Sequence, residues 1–272
     1  DYLMRDALHI GFTGAPDIEK IQFYTAVVDG VLAIEEKFLD EVERLQKFYS
    51  YLHQHGYLNK TALTVQRLFQ RAVQEELLAR SDDGESLWMM RDDELTHWLR
   101  HGRSAAARRL MSRLENRQFH RTVLAIKAEG YGFVERQGGK PLHVLEWPRT
   151  LLRRFSAVCA NRERLLALED RMADACGLAP GDVLFAAMPY FRKLLPQDVR
   201  IFSSGGGDGF WLFERDRDHV RSLEGDYLRT FAIRVTTVPE HRQRLAGALD
   251  VMTAIIQEAC APNAGDAAAR SE

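Results

Sequence analysis

The chain has 272 residues, 46% hydrophobic and 28% charged, which is globular composition and enough length for one large domain or two small ones. Lys and Arg number 37 against 39 Asp and Glu, a near balance that does not favour nucleic acid as a partner. Cys159, Cys176 and Cys260 form neither a disulfide framework nor a zinc knuckle, which fits a reducing cytosol, and no apolar run approaches the ~20 residues of a membrane span.

In chain order, residues 1–11 read as a helix, with Asp1 as N-cap and Gly11 as stop. A helix restarts at Asp17. "VVDGVLAIEE" reads as a hairpin, because apolar residues flank an Asp-Gly pair that readily takes positive φ. The stretch from Glu36 to Ser81 reads as one long helical run, with Leu39, Val42, Leu45 and Phe48 and then Val65, Leu68, Phe69 and Val73 on the apolar side. "DDELTHWLRH" and "SAAARRLMSRLENRQF" are two more helices.

The texture changes near residue 121. "RTVLAIKA" is strand-like, and residues 149–177 read as one helix closed by Gly177. "DVLFAAMP", "VRIFSS", "FWLFERD" and "LRTFAIRVT" are strand candidates. "VPEHRQRLAGALDVMTAIIQEAC" is a last helix with Pro239 in its first turn. The expected fold is therefore mainly α, with a helical part over 1–121, an α+β part over 122–260 and a disordered polar tail over 261–272.

Two stretches carry candidate chemistry. Tyr2 and Asp6 stand about 40° apart around a helix, with His9 a turn further on, so all three favour one face. By spacing alone, a solvated face with a helix-end histidine is the favoured account of this pattern over a ligand-facing one. In "YLHQHGYLNKTA", His53, Tyr57 and Lys60 fall within about 60° if the helix is continuous. Imidazole, phenol and ammonium on one stripe suit a pocket for an anion and a sugar. The mixed polar face of an amphipathic helix is the alternative, and spacing alone does not separate the two.

Taken together, "DYLMRDALHIG" and the later "HQHGYLNK" resemble the HD-domain metal-dependent phosphohydrolases. The likeness is to the branch that hydrolyses deoxynucleoside triphosphates, which includes bacterial dGTPases and the SAM- and HD-domain dNTPase. That branch joins a D-Y-x-x-R-D helix to a helical Y-x-H-K motif. The matching residues here are Asp1, Tyr2, Arg5 and Asp6, then Tyr57 and Lys60. The resemblance extends to the hairpin and to "LEDRMADACGLAPGDVLFAAMP", but it is specific only in the two motifs.

The resemblance implies that Asp6 binds the deoxyribose 3′-hydroxyl and that Tyr57 packs where a 2′-hydroxyl would sit. Tyr2 and Lys60 would lie near the phosphates, with His53 in the same pocket. Asn59 departs from the family's histidine and cannot titrate near neutral pH. Tyr49 replaces an arginine that contacts phosphate, and Lys47 offers only a point charge instead. The family's metal is held by a His, a His-Asp pair and a distant Asp. No His-Asp dipeptide occurs here, and by resemblance the last Asp ligand lies just upstream of Asp1.

The chain is thus expected to be an N-terminally truncated, cytoplasmic phosphohydrolase, the substrate-binding and C-terminal part of a homo-oligomer. Its divalent metal (Mn, Mg, Fe or Zn) and catalytic residues would lie upstream. Another phosphate ester as substrate, or a non-catalytic regulatory or oligomerisation module, are the alternatives. Three other features carry less. "SSGGGDGFW" lacks the Lys-Ser/Thr of a P-loop and reads as a hairpin. Arg109, Arg113, Arg117 and Arg121 make a basic stripe that is either solvated or faces an acidic subunit or a nucleotide. Trp88, Trp98, Trp147 and Trp211 are scattered singly and read as packing residues.

Overall fold

The structure, a computed structural model, describes residues 2–12, 14, 16–81, 83–137, 142–189, 195–205 and 209–261. In the first half the elements are α1 (Tyr2–His9), α2 (Ile18–Phe23), β1 (Thr25–Val28), β2 (Val31–Glu35), α3 (Leu39–Leu52), a π-helical turn (His53–Tyr57), α4 (Lys60–Arg80), α5 (Asp92–Arg100) and α6 (Ala105–Glu115). There follow β3 (Arg121–Ala128), α7 (Gly132–Gln137), β4 (His143–Trp147), α8 (Arg149–Ala160), α9 (Arg162–Ala175) and β5 (Val183–Ala187). The last are β6 (Arg200–Phe202), β7 (Phe210–Trp211), α10 (Leu212–Arg215), α11 (Arg217–Thr230), β8 (Ile233–Thr237), α12 (Arg242–Ala246) and α13 (Leu249–Ala259). The chain is mainly α with an α+β part, as expected. No helix among the described residues is long and apolar enough to cross a membrane.

The chain divides into two units. The first is Asp1–Asn59 with Tyr190–Phe231, and the second is Lys60–Pro189 with Ala232–Glu272. This differs from the chain-order boundary at 121/122. The reason is that α4, inside the stretch expected to be a separate helical domain, packs on β5 and shares a core with it.

The first unit holds a four-stranded sheet in the order β1-β2-β6-β7. Asp29 (φ 51°) and Gly30 (φ 78°) form the turn of the β1–β2 hairpin, both with the positive φ that a two-residue hairpin loop requires. β2 pairs in parallel with β6, Ala33 opposite Arg200, and β6 pairs antiparallel with β7. Ile21, Ile34, Val42, Ile201 and Leu212 form its core. A smaller cluster of Ala7, Phe48 and Leu52 packs α1 on α3. The His219 ring meets Gln46 Oε1 at 2.7 Å, while Gln46 Nε2 donates to the Gln197 carbonyl at 2.9 Å, joining α11 to α3 by a buried polar link.

The second unit holds the order β4-β3-β8-β5, with β3 and β4 parallel and the other pairs antiparallel. Leu184 packs with Leu68 and Ala72 of α4 and with Leu99, Leu110 and Met111 of α5 and α6. Its neighbour Phe185 points to the other face, as alternation demands, and meets Phe155 of α8 edge-on. Two carboxylates are fully buried here. Glu169 of α9 accepts from Arg67 Nε at 2.8 Å, Arg71 Nη1 at 3.1 Å and the Phe185 N–H at 3.0 Å. Glu76 of α4 accepts from the N–H groups of Arg103 and Ser104, each at 2.8 Å, which ties down the α5–α6 connection.

Several sequence expectations change. The helical run from 36 to 81 is broken at the π-turn and at Leu58–Asn59, where Gly56 and Asn59 weaken the helix. The helix over 149–177 is two, because Asn161 leaves the helix and its side chain caps α9 through Arg164 N at 2.9 Å. Of "FWLFERD" only Phe210–Trp211 is strand, and the start of "LRTFAIRVT" belongs to α11. The last helix divides into α12 and α13. Asp1 as N-cap and almost all of the 261–272 tail lie outside the described residues.

Gly102 shows how tightly the Glu76 anchor is built. A Cβ at residue 102 would lie 2.2 Å from Glu76 Oε2. Gly102→Ala is expected to push that carboxylate off its two N–H donors and lower stability by about 1–3 kcal/mol, measured by urea unfolding. Ser81→Ala, at an exposed turn, is the comparison.

Candidate functional site

α1 and the turn after α3 bring two of the expected site residues into contact. The Tyr57 hydroxyl donates to Asp6 Oδ2, and Arg5 Nε donates to Asp6 Oδ1 at 2.8 Å. Both carboxylate oxygens are therefore engaged, and each keeps a lone pair for a further donor. Arg5 first, then Tyr57, hold the Asp6 carboxyl below the usual carboxylate range.

The π-turn sets the direction of these rings. Leu58 N–H donates to the His53 carbonyl at 2.8 Å, five residues back, so one extra residue is accommodated in the turn. His53 then sits between two tyrosines, its ring centroid 4.1 Å from Tyr49 and 5.0 Å, edge-on, from Tyr57. The Tyr49 carbonyl can only accept, so His53 Nδ1, 3.0 Å away, is the protonated nitrogen. Asn59 donates to the Gly56 carbonyl at 2.8 Å and so braces the turn.

Asp6, His53 and Tyr57 are therefore brought together in the first unit. The Tyr2 side chain lies outside the described residues. Lys60 does not continue a stripe with Tyr57, since it opens a new helix, α4, in the second unit. There it lines a cavity of about 560 Å³ together with Arg121, Arg242, His120, Thr61, Thr64 and Thr122, closed by Phe119 and Pro239. None of these nine side chains is acidic and three are permanent cations, so the lining favours an anion.

His120 is buried, its Nε2 2.9 Å from the Gly181 carbonyl, which makes Nε2 the donor. Its Nδ1 has no hydrogen-bond partner among the described residues. Burial pushes its pKa down to about 4. The basic stripe is largely consumed by the chain itself: Arg109 donates to the Pro180 carbonyl at 2.7 Å, and Arg113 pairs with Glu240 at 3.1 Å. Sequence reasoning missed this cavity. Arg242 and Arg121 are far apart in the chain; the antiparallel pairing of β3 with β8, Arg121 opposite Thr237, brings the start of α12 beside the start of β3, where Arg242 Nε donates to the Thr122 carbonyl at 3.2 Å.

Among the described residues, no group of three or more His, Cys, Asp and Glu side chains could hold a divalent metal. The residues present do not fit that group.

No protein family matches the chain, and no curated protein is similar to it. Solved structures share its fold, two of them as follows. A hypothetical protein of Aquifex aeolicus is 16% identical with a TM-score of 0.52, over 92% of this chain and 56% of that one. A phosphohydrolase of Bacteroides thetaiotaomicron is 15% identical with a TM-score of 0.54, over 88% and 60%. The chain thus corresponds to somewhat over half the length of each.

Two measurements check the local chemistry. In Tyr57→Phe the Asp6 carboxyl should titrate at higher pH than in the native chain, and higher still in Arg5→Gln, read by carboxyl ¹³C NMR. For His120, the folded pKa lies below the ordinary 6.5, so the fold favours the neutral ring. That contribution is full above pH 6.5 and is lost as pH falls toward about 4. His120→Gln should flatten the stability profile over that window, followed by thermal unfolding at fixed ionic strength.

Proposed function

We propose that this chain is the substrate-binding part of an HD-type phosphohydrolase that cleaves deoxynucleoside triphosphates to deoxynucleoside and triphosphate. One observation carries the reading: the Tyr57 hydroxyl on Asp6, which unites the two motifs of the resemblance across 51 residues of sequence. The shared fold with a solved phosphohydrolase supports the broader class.

In this reading Asp6, held ionised and oriented by Arg5 and Tyr57, accepts a hydrogen bond from the sugar 3′-hydroxyl. The Tyr57 ring occupies the space beside C2′, so rejection of ribose is steric. His53 backs that ring. Tyr2 and Lys60 are the residues proposed for the phosphates. A divalent metal would supply the attacking water in such enzymes. The donors among the described residues do not fit one. A homo-oligomer in the cytoplasm is part of the same proposal.

The 272-residue chain is expected to bind dGTP more tightly than GTP and to hydrolyse neither with added Mn²⁺. Tyr57→Ala should narrow the deoxy/ribo ratio. Asp6→Ala should weaken both nucleotides by roughly ten- to a hundredfold, the loss of a hydrogen bond to a carboxylate of about 1.5–3 kcal/mol. Calorimetric titration of the three proteins measures this, and an unchanged ratio in Tyr57→Ala sinks the sugar gate.

The cationic cavity favours a second reading, a binding module for a phosphate-bearing ligand without catalysis of its own. On that reading pyrophosphate binds the chain, Arg121→Ala and Arg242→Ala weaken it, and Tyr57→Ala leaves it unchanged.

A further inference from the structure

The cavity at the head of α4 combines cations with one buried base. Lys60, Arg121 and Arg242 bring positive charge to it, and Thr61, Thr64 and Thr122 bring hydroxyls. Part of this lining is held in place by the backbone: Thr64 Oγ1 donates to the Lys60 carbonyl at 2.7 Å, and Arg242 Nε to the Thr122 carbonyl at 3.2 Å. The first turn of α4 adds the positive end of a 21-residue helix, which favours an anion there.

His120 lines the same cavity and is 4% exposed. Its Nε2 carries the proton, because the Gly181 carbonyl 2.9 Å away can only accept. Nδ1 therefore presents a lone pair, and no donor among the described residues meets it. Burial is the largest influence on the ring and holds its pKa down to about 4, so it is neutral at physiological pH; Arg113 acts in the same sense, Asp182 and Glu240 against it. A buried acceptor without a donor costs free energy until a ligand supplies one.

We propose that this cavity selects a phosphate that still carries a proton, as inorganic phosphate does, with its P–OH donating to His120 Nδ1 and its ionised oxygens facing Lys60, Arg121 and Arg242. This selectivity rests on the second reading above, in which the cavity takes a phosphate-bearing ligand. Inorganic phosphate keeps at least one P–OH throughout the neutral range. A phosphate monoester loses its last proton near pH ~6, and sulfate has none to lose. Charge and shape alone would admit all three to the cationic lining. The His120 lone pair separates them, because against a fully ionised oxygen it meets another lone pair, which is a penalty on the wrong anion.

The test is calorimetric titration of the full chain with phosphate, methyl phosphate and sulfate at about pH 7.5 and fixed ionic strength. Phosphate is expected to bind at least about fivefold more tightly than sulfate, the lower end of what an unmet buried acceptor costs. Methyl phosphate should behave like sulfate at that pH and gain on it at about pH 5.5, where the ester is protonated and His120 is still neutral. His120→Gln keeps a donor where Nε2 stood and has no atom at Nδ1. It should bring phosphate down to the affinity of sulfate and leave sulfate unchanged. If that variant does not fold, the three anions on the native chain decide the matter alone. Equal affinity of the native chain for phosphate and sulfate, or an unchanged ratio in folded His120→Gln, overturns the proton-selective contact while the anion cavity stands. Binding of none of the three overturns the cavity reading with it.

Discussion

The second unit is organised by one buried carboxylate. Glu169 is fully enclosed and takes hydrogen bonds from Arg67 and Arg71 of α4 and from the backbone of β5. A lone carboxylate in that position would be prohibitively desolvated; four convergent donors make it tolerable. Removing one member of such a pair typically costs about 3–5 kcal/mol, because its partner is left charged and dry. The network also fixes geometry. It sets the rotation of α4 about its axis, and with it which residues at the head of that helix face the cavity. Arg71 reaches further, to Glu75 and Asp170, so the cluster is a chain of paired charges and not a single bridge.

The candidate site of the first unit follows the opposite logic. Its carboxylate is near the surface and its partners are few, an arginine beside it in sequence and a phenol delivered by a π-turn. A π-turn is a costly local geometry that tertiary contacts must support. Here Asn59 braces it through the Gly56 carbonyl, and the His53 ring packs tilted on Tyr49 and edge-on to Tyr57. The result is a hydrogen-bond acceptor held next to a flat aromatic wall, an arrangement that selects hydroxyl donors over anions.

Elements with a local cause are legible in the sequence. The Asp29-Gly30 hairpin, the helix restart at Asp17, β3 and the stop at Gly177 each follow from a few adjacent residues. The contact between Asp6 and Tyr57 is also legible, through motif likeness, though not through spacing. What escapes is non-local. Gly56 and Asn59 weaken the helix before Lys60, but neither says that the turn takes up an extra residue as a π-turn. Arg121 and Arg242 share a cavity only because of the sheet order β4-β3-β8-β5. The short strand β4 and helix α11 carry weak patterns: β4 is half-buried along most of its length, and α11 alternates polar and apolar residues irregularly.

The parallel pairing of β2 with β6 has a kinetic consequence. Ala33 and Ile34 bond to Arg200 and Ile201, so the sheet of the first unit cannot close until the whole intervening segment exists. On a ribosome, the β1–β2 hairpin emerges early and waits with its inner edge open until β6 is made, and the sheet of the second unit waits longer still, because β8, which lies between β3 and β5, is made after β6. Loop-closure entropy falls on both late pairings, and long-range parallel pairing is intrinsically slow. The open edge of β2, which carries exposed Leu32 with exposed Val27 opposite it on β1, is a site for intermolecular pairing during that interval. Folding yield for this chain should therefore be governed by translation speed and temperature more than by the stability of the finished protein.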